Sequence, residues 1–333
     1  MSVAELGVRI GALALKNPVV AGSGEATMTA EQIRACLETG AAAVVAKSTN
    51  ESEAAKAQLR AAEYVLLDEE LEPRPVGPAR RGDSLFCRSG LLDEPFERWV
   101  ETLAALDDEA AARDAYVVPS LIVADVDEAA RRARELEEAG LRWLEVNVAA
   151  PHAEEAAGGA IRTGTGLVAQ VRAAVSIPLT VKVGGVDPVG SAGAALDAGA
   201  DAVCLTTRQQ GFVPDLATRR PVLGTFAAIG GAWSLPLTLR HVAKTRLRYG
   251  PEASLIGTNG ARDGHDVARF LLAGASAVQL TTILLTDGPE ALTKALEQFA
   301  AYLDAQGIAA RELVGEAADN VETYEEAAMR STA

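Results

Sequence analysis

Two lysines stand at the ends of apolar strands in this chain. Lys47 closes "AAAVVAKS" and Lys182 closes "PLTVKVG". A lysine carried into a buried strand loses hydration, so it must pair with an anion or shift its pKa. Between them in chain order lies Asn147, near the end of "RWLEVNVAAPH". Each lysine alone is equally well read as a side chain snorkelling to a rim. Together with the asparagine they favour a bound anionic or polarised ligand. A desolvated lysine acting as a Schiff-base nucleophile is the alternative. A third group is "GTNGARDGHD", residues 257–266, where glycines flank a loop that opens a helix. Such a loop can present backbone N–H groups to a phosphate.

The elements that must position these residues follow a repeated grammar. In "CLETGAAAVV", "LEEAGLRWLEV", "ALDAGADAVCL" and "LLAGASAVQL" a helical pattern runs into a glycine and then a short apolar strand. The glycines are Gly40, Gly140, Gly199 and Gly274, each placed to end a helix in the left-handed conformation. The apolar runs after them suit strands buried on both faces of a parallel sheet. Further strands are expected at 18–23, 116–123, 178–184 and 253–257. Helices are expected at 29–39, 94–106, 126–139, 164–175, 190–198, 235–247, 264–273 and 288–305. Thr29 with Gln32, and Asp125 with Glu128, have the spacing of N-terminal capping boxes.

Eight strand–helix units predict a (β/α)8 TIM barrel in the α/β class, in preference to a doubly wound open sheet. The chain, 1–333, reads as a single domain. The interval 49–93 is long for a connection and carries the turn-rich "RPVGPARRGD". As a loop after the second strand it should form a wall or lid over the site.

A net charge of -15 argues against a nucleic-acid-coating surface. No apolar run reaches the length of a membrane span, and the N-terminus has no signal-peptide pattern. Cys36, Cys87 and Cys204 lack the spacing of a metal or redox pair, so no metal site is expected and a reducing cytoplasm fits.

In a barrel the chemistry sits at the C-terminal strand ends. There the chain places Gly22 and Ser23, then Lys47 and Ser48, then Asn147 and His152, then Lys182. Thr206, Thr207 and Arg208 follow, then Thr258, Asn259 and Gly260, and finally Thr281 and Thr282.

With these residues in place, the chain resembles the dihydroorotate dehydrogenase-like FMN enzymes. The resemblance runs in order through "LKNPVVAGSG", "GAAAVVAKS", "WLEVNVAAP", "IPLTVKV", "GADAVCLTT", "IGGAW" and "LIGTNGARDGHDVARFLLAGASAVQL". It implies FMN on the barrel mouth. Gly22 and Ser23 would contact the flavin by backbone, Lys47 and Ser48 would flank its ring or ribityl chain, and Lys182 would approach the N1–C2 edge. Thr206 and Thr207 would line it, and Gly230 and Gly231 would lie on the phosphate side. Thr258, Asn259 and Gly260 would complete the phosphate cup with Thr281 and Thr282. Asn147 would sit between flavin and substrate.

The chain departs from the family pattern in three ways. Ala150 stands where the family carries a cysteine or serine base, His152 stands where an asparagine holds the substrate, and Asn259 and Thr281 replace glycines of the phosphate cup. His152 is a candidate replacement base, since an imidazole titrates near neutrality. Cys87 is a second candidate if Arg88 beside it lowers its pKa. Arg208 is a candidate fork for a substrate carboxylate, or a rim salt bridge. His241 and His265 read as surface or capping residues.

The expected function is hydride transfer between FMN and a small cyclic or unsaturated substrate, such as a dihydropyrimidine. Electrons would pass to a soluble acceptor or a separate redox partner, and a homodimer is the expected assembly. Two alternatives stand beside it: a phosphate-binding barrel lyase or aldolase using a Schiff-base lysine, and a non-catalytic ligand-binding relative.

Overall fold

The computed structural model of the protein describes residues 5–50, 58–122, 125–148 and 165–322. An N-terminal hairpin, β1 (Val8–Ile10) and β2 (Leu13–Leu15), pairs antiparallel. Its turn is tied by the Gly11 amide to Ser254 Oγ at 2.8 Å, just before a later strand begins, so the hairpin caps the N-terminal end of the barrel.

The barrel itself is built from β3 (Val19–Ala21), β4 (Ala43–Val45), and a third strand in two pieces. Those pieces are β8 (Tyr116–Val118) and β9 (Ser120–Leu121), divided at Pro119, which has no N–H to give the ladder. Next come β10 (Leu144–Asn147), β11 (Leu179–Val183), β12 (Ala202–Leu205), β15 (Leu255–Thr258) and β16 (Ala277–Leu280). All pair parallel with their neighbours, β16 returns to β3, and β8 and β9 join β4 to β10. Counting the divided strand once, this is the expected closed eight-stranded barrel.

Helices α1 (Ala30–Glu38), α2 (Phe96–Ala111), α3 (Val126–Glu138), α4 (Thr165–Ala174), α5 (Pro188–Asp197), α6 (Leu235–Tyr249) and α7 (Gly264–Leu272) alternate with the strands. A short α8 (Thr282–Thr286) and a long α9 (Glu290–Gln306) follow the last one. Thr29 and Gln32 form the expected reciprocal box: Thr29 Oγ1 accepts from the Gln32 amide and Gln32 Oε1 from the Thr29 amide. Asp125 caps α3 through the Glu128 amide at 2.8 Å. Gly40, Gly140, Gly199 and Gly274 all have φ between 90° and 110°, the left-handed conformation the repeat requires. At Gly264 the need is different. A Cβ there would collide with the Ala295 carbonyl and the Phe299 amide, so its absence lets α7 pack directly on α9.

Register decides which residues enter the barrel. Glu145 pairs with Ser120 and Thr180, and Asn147 with Lys182. Trp143, Glu145 and Asn147 therefore share the inner face, while Leu144 and Val146 turn outward to the helices.

The interval after β4 is more than a loop. β5 (Glu63–Leu67), β6 (Pro73–Pro75) and β7 (Ser84–Arg88) join β13 (Gln209–Gly211) and β14 (Ala227–Gly231) in an antiparallel sheet ordered β13-β14-β7-β5-β6. Segments more than a hundred residues apart thus build one wall over the barrel mouth, as the sequence predicts for a site cover but with a partner hairpin it does not reveal.

Candidate active site

The C-terminal ends of the barrel strands and the antiparallel wall enclose a cavity with about 1080 Å³ of space, part of it open to solvent. Ser23, Lys47, Ser48, Asn147, Lys182 and Thr206 line it. So do Thr207, Arg208, Thr258, Asn259, Gly260, Thr281 and Thr282. Residues drawn from seven strand ends are therefore brought together as expected.

Three expected cofactor contacts sit one layer back. A Cβ at Gly22 would collide with Thr281 Oγ1, so that glycine lets Thr281 close in. Gly230 makes room for Asn259, whose Oδ1 would lie 2.6 Å from an added Cβ. Gly231 does the same beneath Trp233, whose indole Nε1 donates to Ser84 Oγ at 2.9 Å. His152 and Ala150 lie outside the described residues.

On the inner floor, polar groups form a chain. Lys182 Nζ donates to Gln279 Oε1 at 2.8 Å, and Gln279 Nε2 donates to Glu145 Oε2 at 2.6 Å. Ser120 Oγ donates to the other oxygen of Glu145 at 3.3 Å. Ser120 continues to Ser48 at 2.8 Å, and Ser48 to Ser23 at 3.3 Å. Glu145 and Gln279 are buried, so unpaired they would carry a large desolvation cost. The network removes that cost and fixes Lys182, through one oriented amide, at the cavity floor. Glu145 escapes a reading by strand apolarity, yet it stands two residues before Asn147, and period-two alternation places it on the same face.

A second cluster lies under the wall. Lys47 Nζ pairs with Glu25 Oε1 at 2.5 Å, with only 7% and 16% of the side chains exposed. Burial pushes the Glu25 carboxyl up, but the Lys47 ammonium, its hydrogen bond and the Tyr64 hydroxyl together hold it below the ordinary carboxylate value. Glu25 is thus an ionised carboxylate facing the cavity. Tyr64, on β5, has its hydroxyl buried beside Glu25 without an aligned hydrogen bond. Burial, then the neighbouring Glu25 and Cys87, push its phenol strongly up, so it stays protonated.

Arg208 reaches the same cluster and donates from Nη1 to Cys87 Sγ at 2.8 Å. Cys87 lies on β7, opposite Tyr64 in register. Burial raises the Cys87 thiol against the opposing pull of Arg208, leaving it above its ordinary value. Arg88, expected to activate it, points elsewhere: it donates to the carbonyls of Ala61 and Leu223 and pairs with Glu63. Cys87 is therefore a buried neutral thiol that braces Arg208, rather than an exposed low-pKa nucleophile. Arg208 in turn is not a rim salt bridge, since no carboxylate among the described residues lies within 4 Å of it.

Asn259 replaces an expected glycine without losing glycine-like backbone, at φ 71°. Asparagine tolerates this conformation better than most residues. Its side chain is held between Ser234 Oγ at 3.1 Å and the Thr207 carbonyl at 3.4 Å. His265 contacts Gln298 and Tyr302 on the outer surface, and His241 lies on α6, as expected for residues remote from the site. Among the described residues there is no cluster of side chains with the composition of a metal site, and no helix is long and apolar enough to cross a membrane.

Fold and site together define a (β/α)8 barrel with a cation-rich cavity at its catalytic end. The sequence model of dihydroorotate dehydrogenase matches residues 5–303, and the chain belongs to that family of oxidoreductases. The catalytic subunit of dihydroorotate dehydrogenase B (NAD(+)) from Desulforudis audaxviator is 31% identical over 325 residues, covering 93% of this chain and 96% of the relative. Its counterpart from Methanothermobacter thermautotrophicus is 29% identical over 318 residues, covering 92% and 96%. That from Methanopyrus kandleri is 36% identical over 182 residues, covering 51% and 57%.

Proposed function

We propose that the protein is an FMN-dependent oxidoreductase that moves a hydride between the flavin and a small cyclic or unsaturated substrate, a dihydropyrimidine being the leading class. The observation that carries this reading is the charge of the cavity. Among the described residues Lys47, Lys182 and Arg208 line it against one carboxylate, Glu25, in a chain of net charge -15. Such a local excess suits a phosphate and a flavin that becomes anionic on reduction.

The residues present fit FMN on further grounds. Thr206 Oγ1 is buried with no hydrogen-bond partner among the described residues, and buried hydroxyls rarely stay so. The amides of Gly260 and Ala261, at the cavity edge, make no hydrogen bond among the described residues. The glycine-like backbone of Asn259 keeps this corner open to a phosphate despite its side chain. Gly260, Ala261, Thr281 and Thr282 would hold the phosphate, and Ser23, Ser48, Thr206 and Thr207 the body of the cofactor. Asn147 would face the space shared with the substrate. When bound, FMN supplies the hydride acceptor.

The protein's own part is to position and to exclude water. Lys182, fixed by Gln279, keeps a positive charge at the cavity floor. The antiparallel wall closes the opposite side. The proton released with the hydride goes to a group other than the usual cysteine or serine, because position 150 is alanine; we assign it to His152. Electrons leave through a soluble acceptor or a separate partner, consistent with relatives named as catalytic subunits of NAD(+)-linked enzymes.

Anaerobic mixing of the flavin-loaded protein with dihydroorotate or dihydrouracil tests the reading. Bleaching of the flavin band by either is expected, and His152→Asn should shift the pH profile of that bleaching. A protein that takes up no FMN overturns the cofactor assignment. An FMN-loaded protein that neither compound reduces overturns the dihydropyrimidine assignment.

A further inference from the structure

We propose that Arg208, rather than Lys47 or Lys182, binds the anionic group of the substrate, and that this group is a carboxylate. This rests on the oxidoreductase reading and names the recognition element of that site.

The cations of the cavity are not equivalent. Lys47 is neutralised inside the protein by Glu25 at 2.5 Å. Lys182 is committed to Gln279 and, through it, to the buried carboxylate of Glu145. Among the described residues Arg208 has no such partner. Its one hydrogen bond among them goes to the Cys87 sulfur, which is a weak acceptor, and the carboxylate that acts on it electrostatically, Glu25, already receives Lys47. The guanidinium is packed among protein groups on most sides and keeps part of its surface toward the cavity. A desolvated cation with unfilled donors is costly to keep and is a recurrent mark of recognition.

Its surroundings hold it ready. The thiol opposite stays neutral, because burial keeps it protonated, so it braces the guanidinium without competing for its charge. Gly230, packed 3.3 Å from Arg208 Cγ by the position of an added Cβ, leaves the stem a fixed path from β12 up to the wall. Cys87 and Tyr64 come from β7 and β5, so the wall itself aims the fork. A guanidinium presents parallel N–H donors that match the two oxygens of a carboxylate, a geometry a lysine cannot offer. With Glu25 occupying Lys47, an incoming carboxylate finds its charge complement at Arg208.

The test uses paired probes that differ in the charged group: orotate against uracil, and benzoate against benzamide. Affinities for the purified flavin-loaded protein are measured by flavin absorbance changes and, independently of the flavin, by thermal shift. The wild type should bind the carboxylate of at least one pair about ten- to a hundredfold more tightly than its neutral partner, the range expected for a charge-assisted bidentate contact. Arg208→Gln should abolish that preference while leaving the affinity for the neutral partner unchanged, and Arg208→Lys should restore part of it. Wild-type protein that shows no preference in either pair overturns the proposal without needing any variant. So does a preference that survives in Arg208→Gln, or one lost equally in the charge-neutral double variant Lys47→Met/Glu25→Gln, which leaves Arg208 intact and no free carboxylate beside it. Failure of the flavin reading is separately visible, as protein that never acquires a flavin spectrum.

Discussion

Replacing Lys47 by methionine isolates the electrostatics of the cavity, because it removes the charge and keeps the apolar stem. Glu25 would then be a mostly buried carboxylate without its counter-ion. Breaking a buried pair in this way costs roughly 3–5 kcal/mol at neutral pH. At about 1.4 °C per kcal/mol for a chain of this size, the melting temperature should fall by roughly 4–7 °C. The pH dependence gives the cause away. In the wild type the folded Glu25 lies below its ordinary value of 4.5, so its contribution is present above about that pH and is lost as pH falls through the folded value. In Lys47→Met burial acts with less opposition and lifts the carboxyl above 4.5. The ionised form is then penalised at neutral pH, and the penalty fades as acid protonates it. The gap in stability between wild type and variant should therefore be widest near neutrality and narrow toward pH 5. Thermal unfolding followed by circular dichroism across that range reads it. The double variant Lys47→Met/Glu25→Gln should recover most of the loss. A gap that is flat with pH, or a double variant no better than the single one, would refute the argument.

Three further outcomes follow from the same structure. Gly264→Ala should lower the melting temperature by several degrees, because its Cβ meets backbone atoms of α9 that cannot rotate away, an overpacking cost of about 1–3 kcal/mol or more; unchanged melting would show that α7 and α9 do not pack as described. Cys36, Cys87 and Cys204 should all resist alkylation in the native protein and react in denaturant, since burial pushes the thiol of Cys36 up to about 12 and raises the other two as well; rapid native labelling of Cys87 would restore it as a nucleophile. Borohydride should trap no carbonyl compound on Lys47 or Lys182, because both are committed to partners within hydrogen-bonding distance; a trapped adduct on either, located by mass spectrometry, would favour the lyase alternative.

Legibility in the sequence followed the range of the interactions. The barrel was readable because each helix–glycine–strand unit carries its own local signal, and Gly40, Gly140, Gly199 and Gly274 meet the same left-handed requirement four times. Strand ends then delivered Lys47, Asn147, Lys182 and Thr258 to one cavity without any long-range information. The wall was not readable in detail. Its β7 pairs with β14, some 140 residues later, and the short strands around Pro73 and Pro75 carry no clear alternation. For the same reason the meeting of Glu25, Tyr64, Cys87 and Arg208 had no sequence signal, and Arg88, adjacent in the chain, was the natural but mistaken neighbour for Cys87. Glu145 was partly legible: the apolar residues around it draw the eye, but Leu144 and Val146 face the helices and the polar residues face inward.

Occupation of the barrel-mouth cavity by FMN is read from the visible absorption spectrum of the purified protein, with chromatographic identification of any cofactor released on denaturation. The proposed function requires an oxidised flavin spectrum and release of FMN, either as isolated or after incubation with added FMN. A colourless protein that remains colourless after incubation with FMN contradicts it.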